Sequence, residues 1–149
     1  MTASGAPRDG TLAEPTPEGD RSVPLVAQLA ALLAAAIHVW FFVLESLLFT
    51  RPGIAARFGL RTEEQVAAVR PMAFNQGFYN LFLAVGIAAG IAQIAGGAEV
   101  AGRSIVLFAC LCMVWAGIVL LVTSKRFFQA ALVQLVPPLI AIVASFVIR

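Results

Sequence analysis

Apolar residues in this chain gather into four long runs, divided by short polar stretches. The runs extend from about Pro24 to Phe49, Met72 to Ala95, Ser104 to Thr123 and Phe127 to Ile148. Each reaches the roughly 20 residues that a helix needs to cross the hydrocarbon of a bilayer. None alternates polar and apolar residues as the wall of a membrane barrel must. Helices also satisfy their own backbone groups, which lipid cannot do. The pattern predicts an all-α, membrane-spanning four-helix bundle.

The punctuation sets the boundaries. Residues 1–23 mix Pro7, Pro15 and Pro17 with Gly5, Gly10, Gly19 and four acids, and show no apolar period. Such a segment buries too little surface to offset its ordering entropy, so it reads as a disordered N-terminal tail ahead of a membrane domain over residues 24–149. Acids outnumber bases there, which argues against a cleaved leader and for an uncleaved first span. Pro24 and Pro71 suit the first turn of a helix. Thr62-Glu63-Glu64-Gln65 has the form of a capping box. It predicts a short interfacial helix between spans 1 and 2, running through Val69 and closed by Arg70-Pro71. Gly96-Gly97 should stop span 2, and Pro137-Pro138 should kink span 4.

Composition agrees with this picture. Of 149 residues, 60% are hydrophobic and 12% charged, against about 25% charged in ordinary soluble domains. The net charge of +2, with no basic stripe, argues against a nucleic-acid partner. Membrane lipids are the expected surroundings. Four spans put both termini on one side. The other side then holds Arg51, Arg57, Arg61, Arg70, Lys125 and Arg126, against Arg8, Arg21, Arg103 and Arg149. The excess of basic residues places loops 50–71 and 124–126 in the cytoplasm and the termini outside the cell membrane. Cys110 and Cys112 point to nearly opposite sides of a helix and cannot chelate one metal together. They read as packing residues, and no cofactor or metal is expected.

Ionisable and amide side chains inside apolar spans are the candidate chemistry, because a charge at the bilayer centre costs roughly 2.5–3.5 kcal/mol on insertion scales. Span 1 carries His38 and Glu45, seven residues apart and so on one helix face. Their separation along the axis is roughly 10 Å. Span 2 opens with Asn75-Gln76-Gly77-Phe78-Tyr79-Asn80. Counting inward from the span ends matches Glu45 in depth with Asn75 and Gln76, and His38 with Asn80. Span 4 adds Gln129 and Gln134. The candidate ligand-binding residues are therefore His38, Glu45, Asn75, Gln76, Tyr79, Asn80 and Gln134. Gly86 and Gly90 form a GxxxG that would let another helix approach closely.

The spacing His38…Glu45, then Phe49, Phe58-Gly59-Leu60, and Asn75-Gln76-Gly77-Phe78-Tyr79-Asn80-Leu81-Phe82-Leu83-Ala84 resembles a bacterial integral membrane family called domain of unknown function 1304. Its signature reads N-Q-G-x-Y-N-x-F-L-A. The likeness covers about residues 25–148, with spans 3 and 4 alike in character only, and the proline-rich tail departs from the family's short start. It implies a small four-span membrane protein and assigns no catalytic residue.

Three functions fit these residues. The first is binding or transport of a small or amphipathic molecule at the polar cluster, with Glu45 as the charged anchor. The second is a scaffold or accessory subunit, in which the amides join helices and Gly86 and Gly90 dock a partner or a second copy of the chain. The third is a membrane enzyme moving protons between His38 and Glu45, with Asn80 or Tyr79 polarising a lipid-soluble substrate. Nucleophile elbows, metal-ligand sets and phosphate loops are missing from the sequence, which weighs against hydrolysis and phosphoryl transfer.

Overall fold

The computed structural model describes residues 23–147; the tail expected before them lies outside that range. Helix α1 spans Leu25–Phe42 and continues as a π-helical turn over Val43–Leu47. A short helix, α2, spans Pro52–Arg57. Then come α3 at Glu63–Ala95, α4 at Glu99–Thr123, a 3-10 turn at Lys125–Phe127 and α5 at Phe128–Val147. Four of these helical segments are long and apolar enough to cross a membrane. They form a closed ring in which α1 packs on α3, α3 on α4, α4 on α5, and α5 back on α1.

Small residues make the ring close. The core is lined by Ala31, Ala34, Ala35, Ala84, Ala109 and Ala141, with Ile87, Cys110 and Met113 filling between them. Lipid tails are as apolar as leucine, so helices in a bilayer associate through close packing of small residues and not through segregation from water. The large apolar side chains turn outward instead, among them Leu29, Leu33, Trp40, Phe82, Phe108 and Trp115. Val23, counted with the tail on composition, is buried against Ala27 and Ala144.

The tightest seam joins α3 to α4. A Cβ at Gly90 would stand 2.8 Å from the Gly102 carbonyl oxygen and 2.7 Å from Val106 Cγ2. A Cβ at Gly86 would meet nothing within 4 Å. Gly90 therefore packs with Gly102, while Gly86 faces away from its own bundle. The connection behind this seam is short, because Gly97 takes a left-handed φ of 87° that a side chain would resist.

One expected element is different. The capping box at Thr62 forms, with the Thr62 side chain accepting from the Gln65 N–H at 3.2 Å and Gln65 Oε1 reaching back to the Thr62 N–H. The helix it starts does not end at Arg70-Pro71. It runs through Pro71 for 33 residues to Ala95, a length of about 50 Å. Pro71 lacks the N–H that would bond the Ala67 carbonyl, and Ala67 and Pro71 are both exposed, away from the packed core. The strong start at Thr62 and the apolar run beyond Pro71 thus fuse into one helix. The short helix between spans 1 and 2 is α2 instead. Likewise α5 runs on through both Pro137 and Pro138. Replacing Thr62 by Ala should cost about 1 kcal/mol and be confined to the first turns of α3. Hydrogen exchange should show faster exchange at Gln65 and Val66, with α4 and α5 unchanged.

The basic loops meet at one end of the bundle. Phe58 of the first loop stacks between Phe49, at 5.3 Å, and Phe127, at 6.3 Å. Arg126 donates to the Ala56 carbonyl at 3.1 Å. At the opposite end Arg103 donates to the Ser145 carbonyl and lies 5.3 Å over the Phe146 ring.

Candidate functional site

Glu45 lies in the π-helical turn that ends α1. The Leu48 N–H there bonds the Val43 carbonyl five residues back, at 2.9 Å. Such turns are rare, and they recur at functional sites because the wider turn re-aims its side chains. The half-buried Glu45 meets α3, where Asn80 Nδ2 donates to Glu45 Oε2 at 2.8 Å. Asn80 is 7% exposed. An interhelical hydrogen bond of this kind contributes on the order of 0.6–2 kcal/mol in a bilayer.

Gly77, one turn before Asn80, brings the two backbones together. A Cβ at Gly77 would lie 3.2 Å from both Glu45 Cβ and Ser46 Cβ. Next along the seam, Ser46 Oγ donates to the Phe74 carbonyl at 2.9 Å. Phe42 packs edge-on against Phe78 at 5.1 Å. Phe74, Gly77 and Asn80 therefore form one strip on α3 against the end of α1.

His38 sits two turns from Glu45 and is 1% exposed. Its Nδ1 lies 2.8 Å from the Ala34 carbonyl oxygen. A carbonyl only accepts, so Nδ1 carries the proton of this contact. Nε2 is then left as a buried lone pair, with no hydrogen-bond partner among the described residues. Phe41 lies edge-on to the imidazole at 5.8 Å. A buried polar atom without a partner costs on the order of 1–3 kcal/mol.

The structure brings Glu45 and Asn80 together and sets His38 on the same inward course of α1. Asn75, Gln76 and Tyr79 are exposed, Tyr79 at 56%, and they do not join this cluster. Gln134 is half-buried on α5 and shares no hydrogen bond with Glu45 or Asn80 among the described residues. The depth match expected from the span ends is displaced by about one turn, since Glu45 pairs with Asn80 and not with Asn75 or Gln76. The displacement arises because α3 begins at Glu63 and α1 closes in a π turn, so neither apolar limit marked a helix end. Ser46 and Gly77 were not singled out as site residues. Gly77 stood inside the polar run, and that was the available signal for Gly77.

Among the described residues, no group of three or more His, Cys, Asp or Glu side chains could hold a metal ion. Cys110 is buried and Cys112 only partly so. Chemically the inward face of α1 is rich in acceptors: the Glu45 carboxyl group and His38 Nε2. Asn80 is the donor already in use.

A family sequence model with the description "Protein of unknown function (DUF1304)" matches residues 32–146. No curated protein matches the chain, and no solved structure matches it.

Proposed function

The chain belongs to the DUF1304 family of proteins of unknown function, and from that premise we propose that this multi-pass protein binds a small amphipathic molecule inside its bundle, as a carrier or receptor in the cell membrane. The observation that carries the reading is the pairing of two unlike acceptors on one helix. The Glu45 carboxyl group is held by Asn80, and His38 Nε2 is a buried lone pair that no donor among the described residues meets. A ligand with hydroxyl or amine donors at its polar end supplies what both groups require. Their roughly 10 Å separation along the axis suits a molecule of several heavy atoms. We place the basic loops in the cytoplasm, which sets Glu45 nearer that face and His38 deeper.

The experiment compares wild type, Glu45→Gln and His38→Phe, purified in mild detergent, by extracting and weighing retained small molecules. Wild type should retain a hydroxyl- or amine-bearing amphiphile at least five-fold above either variant, with all three proteins equally folded by circular dichroism. Equal retention, or none in any of the three, overturns the proposal. A scaffold reading is favoured by one observation, the tight seam of Gly77 against Ser46. It predicts that the variants differ in assembly and not in bound content.

A further inference from the structure

The basic end of the bundle carries a second, separate feature. Between α2 and the first turns of α3 lies an open cleft of about 700 Å³. Arg61 and Arg70 line it, with Glu63 beside them and Leu60, Val66 and Ala67 forming apolar wall. We propose that this cleft seats the headgroup of an anionic phospholipid from the adjoining leaflet, one whose phosphodiester bears a hydroxylated substituent, of the phosphatidylglycerol class.

Position, charge and stiffness each support the assignment. Arg70 immediately precedes Pro71, at the level where the apolar run begins and a lipid phosphate sits. Arg61 stands nine residues earlier, just before the Thr62 cap that starts α3, at the end of the cleft away from the apolar run. A phosphate opposite Arg70 therefore directs its substituent outward, toward Arg61 and Glu63. Glu63 repels a second anionic group there and accepts from hydroxyls. The three ionic side chains sum to +1, which complements a headgroup of single negative charge and not a zwitterion. The apolar stretch of Val66 and Ala67, between Arg70 and Arg61 along the cleft, meets the carbon atoms of that substituent.

The cleft is formed before any lipid arrives. Its α2 wall is fixed to the bundle by the Arg126 bond to the Ala56 carbonyl and by Phe58 between Phe49 and Phe127. Its α3 wall is fixed by the capping box. Little ordering cost therefore falls on binding.

The test is lipid competition read by native mass spectrometry on the full chain. Phosphatidylglycerol and phosphatidylethanolamine are offered in equal amounts to wild type, Arg70→Gln, Arg61→Gln and Arg57→Gln. One arginine near a membrane surface changes anionic-lipid affinity about five-fold. Wild type should prefer phosphatidylglycerol about ten-fold, and Arg70→Gln should lower that preference about five-fold. Arg61→Gln should lower it less, because Arg61 meets the substituent and not the phosphate. Arg57 is exposed on α2 and does not line the cleft, so Arg57→Gln should retain the preference. Equal losses at Arg57 and Arg70 would show diffuse surface charge and overturn the site. Displacement of the lipid by millimolar inorganic phosphate would overturn the lipid as its occupant.

Discussion

Gly102→Val should be the most damaging single substitution in the bundle, lowering stability by about 3 kcal/mol, the upper part of the overpacking range. A Cβ at Gly102 would stand 2.8 Å from both the Ile94 backbone nitrogen and Ile94 Cγ1, and the Gly90 carbonyl is closer still. Backbone cannot turn aside as a side chain can, so α3 and α4 must separate. Separation exposes Ile87 and Met113, which are fully buried, along the whole seam. Gly86→Val provides the contrast, because that position opens on free space within the protomer. Thermal unfolding in detergent should show a large fall in Tm for Gly102→Val and almost none for Gly86→Val. Equal falls would mean that Gly86 is itself packed against something, and that the Gly90–Gly102 contact is not the governing one.

Asn80→Leu should have the second largest effect. It removes the donor to Glu45 Oε2 and leaves a half-buried carboxyl group facing an apolar side chain. A buried polar group stripped of its partner costs about 1–3 kcal/mol. The carboxyl group also has no ready second donor on α3, since Asn75 and Gln76 are exposed. Glu45→Gln should be mild by comparison, because an amide oxygen still accepts from Asn80. The double replacement Glu45→Leu with Asn80→Leu should recover much of the loss, as removing both partners leaves no polar group stranded. A double-mutant cycle measures the coupling. A coupling below about 0.5 kcal/mol would mean that the seam is held by Gly77 and Ser46 alone.

The architecture was legible in the sequence because lipid imposes one demand on every residue. Four apolar runs of sufficient length could only be helices, and Thr62 to Gln65 announced a helix start that the structure contains. Glu45, His38 and Asn80 stood out because polar groups in such runs are costly. The faces of α3 were harder to read. In a soluble helix the outward side is polar, but here both sides of α3 are largely apolar, so no periodic contrast separated Asn80 from Asn75, Gln76 and Tyr79. The π turn at Val43–Leu47 left no compositional mark either. It lies where Gly77 brings α3 close to Glu45 and Ser46, a contact between residues about thirty positions apart. Pro71 misled for a related reason. Its local preference is to end a helix, and its exposed place on a continuing α3 is a property of the assembled structure.

The link of Gly96, Gly97 and Ala98 between α3 and α4 bears on how the chain is made. Segments entering a bilayer from the ribosome arrive in order, and these two emerge joined by a connection too short to let them part. Gly90 and Gly102 are twelve residues apart, so their contact closes with little loop entropy as soon as both segments have emerged. The pair can pass sideways into lipid as one hairpin. The α1 segment must instead hold Glu45 in readiness until its donor Asn80 has been synthesised, and the ring closes only when α5 packs back on α1.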